Sequence, residues 1–217
     1  MVGGRVLNGL LVVTVMLGIS VVPAGTALSS ERQLAIEFEK SEKPLSPKAK
    51  ALLAKHARTI EGWANESALV DAVLEQNAKR MSARSIRKID RSWIAGGEVN
   101  GMPEELMSNG CAEQLRLLMA EGSGYEEGFV MDDQGALVCM TQRTSDYWQG
   151  DEAKWQRSFN EGRGGILVGA PRFDDSAETV LSQISVPIMQ DGKAVGAITV
   201  GKTVKIYGEG WVTGLQD

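Results

Sequence analysis

Apolar residues recur at helical spacing through the first half of this chain and alternate with polar ones through the second. Ser46-Pro47 has the form of an N-cap followed by proline at the first helical position, and Leu52, Leu53, His56, Ile60 and Trp63 then fall on one helical face. Asn65-Glu66 starts a second helix that carries Leu69, Val70, Val73, Leu74 and Asn77 on one side. Met81, Ile86, Ile89, Trp93 and Ile94 continue the period until Gly96-Gly97 stops it. Residues 104–120, with Leu106, Met107, Leu115, Leu118 and Met119, predict a further short helix.

From Tyr125 onward the texture is that of strands. Residues 127–131 and 136–141 flank Asp132-Asp133-Gln134-Gly135, a hairpin turn signal. An acidic and aromatic stretch follows. Its second half predicts a helix to about Asn160, since Asp151 and Glu152 suit the positive end of a helix dipole, and Trp155 and Phe159, four apart, would share its buried face. Residues 164–170 predict a strand, and residues 178–189 a longer one in which Val180, Ile184, Val186 and Ile188 alternate. Asp191-Gly192 signals a second hairpin, and residues 194–204 close the sheet. The expected class is α+β, with N-terminal helices packed on an antiparallel sheet of about five strands. The expected boundaries are a leader over 1–27, a helical part over 28–122, the sheet over 123–206 and a C-terminal tail over 207–217.

The leader rests on the order basic, apolar, small. Arg5 precedes an almost unbroken apolar run over residues 10–22, and Pro23-Ala24-Gly25-Thr26-Ala27 supplies the small residues that a signal peptidase needs. Cleavage is expected after Ala27, giving a periplasmic or secreted protein. The alternative is an uncleaved run that anchors the chain in the inner membrane. No second run of about 18 apolar residues occurs in this sequence.

Removing residues 1–27 from 217 leaves 190, enough for one domain with a real core. Only Arg5 is charged among those removed, so the remainder holds 22 basic and 28 acidic side chains. With that acidic balance no nucleic-acid partner is expected. Cys111 and Cys139 are the only cysteines, and in an oxidising compartment a pair is more often bridged than free. A bridge would stabilise by about 3 kcal/mol through loop closure; two separate buried thiols are the alternative. With one histidine, His56, a histidine-rich metal site is excluded, and no metal or other cofactor is expected. A serine or cysteine hydrolase would have to use that same histidine without a Gly-x-Ser-x-Gly elbow. Gly162-Arg163-Gly164-Gly165 lacks phosphate-loop spacing. The expectation is a protein that is not an enzyme.

The string Thr144-Ser145-Asp146-Tyr147-Trp148-Gln149-Gly150-Asp151-Glu152-Ala153-Lys154-Trp155 resembles the signature segment of exported PAS-like sensor domains of the Cache (PDC) family. Gln183-Ile184-Ser185-Val186-Pro187-Ile188 and Gly192-Lys193-Ala194-Val195-Gly196-Ala197-Ile198 are similar to that family's last two strands, and Phe129-Val130-Met131-Asp132-Asp133-Gln134-Gly135 to its first hairpin. The resemblance is strong over residues 125–201. It implies a pocket between the sheet and the inserted loop and helix, binding an amino acid, organic acid or amine. It also implies a membrane receptor or kinase as the partner that reads the ligand state. The expected form is a single sensor domain without an output module.

Small zwitterions need a few fixed polar groups in an aromatic-walled cavity, and residues 143–155 offer that mixture. The candidate wall is Tyr147, Trp148 and Trp155. Asp146 and Asp174 would hold an ammonium, while Arg143 or Lys154 would pair with a carboxylate; Phe173 borders the segment that lines the pocket in the resembled family. Each residue also has a plain structural reading. Trp155 would pack with Phe159, Asp146 would cap the loop, Asp174 would end a hairpin and Arg143 would be solvated. Tyr147 and Trp148, being adjacent, would point opposite ways in an extended segment. Trp63 and Trp93 are expected between helices, and His56 at a partly exposed helix position. The competing function is a non-binding interaction or structural protein on the same scaffold.

Overall fold

The computed structural model describes residues 33–97, 99–174, 178–207 and 210–213. The leader expected over 1–27 lies outside the described residues. The expected α+β class holds, with six α-helices and eight strands among the described residues.

Five strands match those expected: β2 (Tyr125–Met131), β3 (Leu137–Met140), β4 (Ile166–Val168), β6 (Thr179–Gln190) and β7 (Lys193–Tyr207). Three short strands join them. β1 (Ile36–Phe38) pairs in parallel with β4, β5 (Arg172–Asp174) pairs with the start of β6, and β8 (Gly210–Thr213) pairs with the end of β7. The order across the sheet is β1-β4-β6-β7-β2-β3. The expectation of helices alone before residue 122 is therefore corrected at β1, and part of the expected tail belongs to the β7–β8 hairpin. Both hairpin signals hold: Asp191 and Gly192 adopt positive φ between β6 and β7, where the paired left-handed residues match the strand twist.

The helices are α1 (Pro47–Trp63), α2 (Ser67–Ala78), α3 (Ala83–Ile94), α4 (Met102–Ser108), α5 (Gly110–Ala120) and α6 (Ala153–Phe159). Ser46 caps α1 as its sequence predicts, its side chain accepting from the Ala49 N–H at 3.1 Å. The single helix expected over 104–120 is two. Asn109 ends α4 and caps α5 with extended backbone, its Oδ1 accepting from the Ala112 N–H at 3.0 Å and its Nδ2 donating to the Val138 carbonyl at 3.0 Å. No helix among the described residues is long and apolar enough to cross a membrane.

Strand alternation gives the sheet two differently covered faces. On one, Val130, Val138, Ile184, Val186, Ile198 and Val200 pack against Leu53, Ala57 and Ile60 of α1, Leu69 and Val73 of α2, and Leu115 and Leu118 of α5. Cys111 of α5 is bridged to Cys139 of the edge strand β3 on this side. On the other, Phe129, Met131, Leu137 and Ala197 pack with Ile86 and Trp93 of α3 and with Tyr147. That second face carries the inserted loop and α6.

Candidate functional site

The insert is tied down to α3 and to the β2–β3 hairpin. Asp90 of α3 accepts from the N–H groups of Tyr147 and Trp148 at 3.1 and 3.0 Å. The Trp148 indole donates to the Gln134 carbonyl at 2.8 Å, and the Trp155 indole donates to the Asp132 carbonyl at 3.0 Å. The aromatic residues thus clip the insert onto the turn of the β2–β3 hairpin. A free indole N–H would be costly at this depth, and the turn carbonyls satisfy both.

Tyr147 and Trp148 do point apart, as extended neighbours must. Tyr147 is a core residue at 2% exposure, against Trp93. Its hydroxyl meets Gln76 Nε2 at 3.5 Å, facing a cleft of about 650 Å³ between α2, α4 and β3. Trp148 lies on the outer side with the Arg87 guanidinium 4.4 Å from its ring. Trp155 stacks on Phe159 at 4.9 Å, so its packing role is real.

Beneath α6 the sheet surface changes character. On the face that holds Phe129 and Ala197, alternation also places Glu127, Gln183, Ser185 and Thr199. Ser185 and Thr199, cross-strand partners at 0% exposure, share a hydrogen bond of 2.9 Å. Gln183 Nε2 donates to Glu127 Oε1 at 2.7 Å across Gly201, the residue paired with both. A Cβ at Gly201 would lie 2.6 Å from Glu127 Cγ, so only glycine lets the two side chains meet there. The result is a polar floor on a face otherwise lined by Phe129, Met131, Leu137 and Ala197.

Lys154 of α6 stands over this floor. Its ammonium is 5.2 Å from the centre of the Phe129 ring and 3.1 Å from Glu152, with the side chain only 15% exposed. The same charge acts on Glu127 and on Asp146, favouring the ionised form of each. Burial pushes the Glu127 carboxyl up from its ordinary value; the Gln183 hydrogen bond opposes this, Asp174 adds to it and Lys154 opposes it. Burial likewise raises Asp146, with Glu152 adding to the shift. Gln149 donates through Nε2 to the Asp146 carboxylate, and its own Oε1 is a fully buried acceptor with no hydrogen-bond partner among the described residues. Glu152 pairs with this ammonium, Glu127 and Asp146 interact with it electrostatically, and Asp174 acts on Glu127. Such a site favours a further positive charge.

Of the eight residues singled out from sequence, Asp146, Lys154 and Asp174 take part in this electrostatic cluster. Trp155 sits on the helix that also carries Lys154, and Tyr147 and Trp148 face elsewhere. Arg143 is exposed, with its guanidinium 4.9 Å from the Trp93 ring and donating to the Trp93 carbonyl at 3.3 Å. Phe173 is 64% exposed. Glu127, Gln183, Ser185 and Thr199 were not singled out. Their signal was present, since polar residues at 183 and 185 alternate with Ile184 and Val186 in a strand whose both faces are covered. No group of three or more metal-ligating side chains occurs among the described residues.

No protein-family model matches the chain, and no curated protein matches it. Among solved structures it is similar to the sensor domain of the V. cholerae histidine kinase DctB, at 12% identity and a TM-score of 0.37, over 72% of this chain and 50% of that one. It is similar to the sensory domain of the Campylobacter jejuni chemoreceptor Tlp3 with isoleucine bound, at 12% identity and 0.34, over 74% and 64%. It is also similar to the ligand-binding domain of the Pseudomonas fluorescens chemoreceptor CtaA in complex with L-serine, at 10% identity and 0.30, over 71% and 60%. The chain thus spans about half to just under two thirds of the length of these structures. All three are sensor or ligand-binding domains.

Proposed function

We propose that this chain is an extracytoplasmic sensing domain that binds a small solute bearing an ammonium group, an amino acid or amine, between α6 and the sheet. The observation that carries the reading is the polar floor of buried Glu127, Ser185 and Thr199 and half-buried Gln183 under Lys154. Buried polar groups lower stability relative to aliphatic ones unless something gains from them, and a cationic solute would gain from the excess of carboxylates. Glu127, Asp146 and Asp174 would take the ammonium, Gln149 Oε1 would accept one of its hydrogens, and Lys154 would meet a carboxylate if the solute has one. Entry requires α6 and the loop before it to move, because the floor is covered. A ligand that contacts the closed arrangement better than the open one would shift the population toward it. In this reading a membrane receptor or kinase senses that shift, and the leader over residues 1–27 exports the chain.

A thermal-shift screen of amino acids, amines and carboxylates tests the proposal. At 100 times its dissociation constant a ligand stabilises by about 2.7 kcal/mol, and the hits should carry an ammonium and lose their effect in Glu127→Gln. A hit that survives Glu127→Gln and is lost in Gln76→Ala would put the ligand in the Tyr147 cleft and overturn this placement. No hit at all would leave the scaffold as a non-binding interaction protein.

A further inference from the structure

Helix α3 carries charge that the fold does not use. Arg84, Arg87, Lys88 and Arg91 are exposed along it, preceded by exposed Lys79 and Arg80. Six of the chain's 23 basic residues thus fall within thirteen positions of a chain that holds 28 acids. Asp90, the acid within α3, is half-buried and occupied by the Tyr147 and Trp148 N–H groups. Lys79 meets Glu75 at 3.7 Å, an exposed pair, whereas none of Arg80, Arg84, Arg87, Lys88 and Arg91 pairs with a carboxylate among the described residues. The inner face is fixed by Ile86 and Trp93, both buried, so the stripe of Arg84, Arg87, Lys88 and Arg91 must face outward. Ile94 extends that stripe at 62% exposure.

We infer that the outer face of α3 is a docking surface for an anionic lipid bilayer, with Ile94 entering the interface. Long cationic side chains around one exposed aliphatic residue are the composition with which a surface-lying helix meets anionic headgroups. The contact would set the α3 side of the insert, rather than the β1 edge of the sheet, toward the membrane. The inference is independent of whether the floor beneath α6 binds a solute.

Residues 33–217 form one compact unit that contains both apolar cores, and this unit serves for the test. It is sedimented with vesicles of phosphatidylcholine alone or with a phosphatidylglycerol admixture, at low and high salt. Binding is expected only on the anionic vesicles and should fade with salt as the charges are screened. Each cation contributes about fivefold in partition, so Lys88→Gln/Arg91→Gln should weaken binding at least tenfold and Arg84→Glu/Lys88→Glu/Arg91→Glu should abolish it. Ile94→Ser should weaken it severalfold. Arg87 is left intact because it stacks on Trp148, and thermal midpoints verify that each variant folds. Equal binding to both vesicle types, or full binding by the triple variant, overturns the inference. Binding to polyglutamate without binding to vesicles would assign the face to an acidic protein and overturn it equally.

Discussion

Replacing His56 by glutamine and, separately, Asp132 by asparagine should expose two pH dependences that oppose one another in the native chain. His56 Nδ1 is hydrogen-bonded to the Tyr125 hydroxyl at 2.7 Å on the helix-covered side of the sheet. Burial, then Lys202 and Lys55, lower its pKa from 6.5 to about 4. Unfolding frees it to bind a proton, so its contribution is complete above pH 6.5 and is lost as pH falls toward 4. Asp132 accepts from the N–H groups of Gln134 and Ala136 at 2.8 and 2.9 Å, yet burial raises its pKa from 3.8 to about 6. The folded chain then holds a proton that the unfolded chain has released. Its contribution is complete below pH 3.8 and is lost as pH rises through 6. Between pH 7 and pH 5 the His56 change amounts to a loss of about 2 kcal/mol, and the Asp132 change to a gain of about 1 kcal/mol. His56→Gln should therefore become more stable on acidification and Asp132→Asn less stable, with the two responses about 3 kcal/mol apart. Glu127 and Asp146, also raised by burial, act alike in both variants and cancel from that difference. Urea unfolding followed by tryptophan fluorescence at the two pH values measures it. Parallel responses, within about 0.5 kcal/mol, would refute the assignment of opposed protonation to these two sites.

Three further outcomes follow from the same geometry. Reducing the Cys111–Cys139 bridge opens a loop spanning 28 positions and should cost about 3 kcal/mol, read as a lower urea midpoint under reductant. Asp90→Ala removes the acceptor of two insert N–H groups and should cost about 2 kcal/mol, with faster proteolysis within residues 143–150 while the disulfide-bonded part stays intact. Glu127→Gln removes a buried carboxylate whose ionisation burial opposes, so it should raise the unfolding free energy at pH 7 while abolishing ligand stabilisation. A gain in stability together with a loss of binding is the mark of a residue kept for a ligand.

Local signals in the sequence announce much of this fold. Ser46-Pro47, Asp191-Gly192 and the alternation in β6 each act within a few residues, and the structure follows them. β1 is different: three residues carry no period, and they become a strand because β4, far along the chain, offers an open parallel edge. The split between α4 and α5 was marked by Asn109 followed by glycine, a capping pair hidden inside a continuous apolar period. At the site, the segment 144–155 points to the right region but to an incomplete set of side chains. Tyr147 is drawn into the core by Trp93 and Ile86, and Trp148 is turned outward by alternation. The floor comes from strands β2, β6 and β7, whose juxtaposition is a tertiary fact. Phe173, expected at the pocket border, is exposed on the short strand β5.

A crystal structure of residues 33–217 grown with the strongest ammonium-bearing hit from the thermal-shift screen measures the central claim most directly. The ligand's nitrogen should lie within hydrogen-bond distance of Glu127 or Asp146, under a displaced Lys154 and above Ser185 and Thr199. Density for the ligand anywhere else, with α6 still closed on an unchanged floor, would contradict the account.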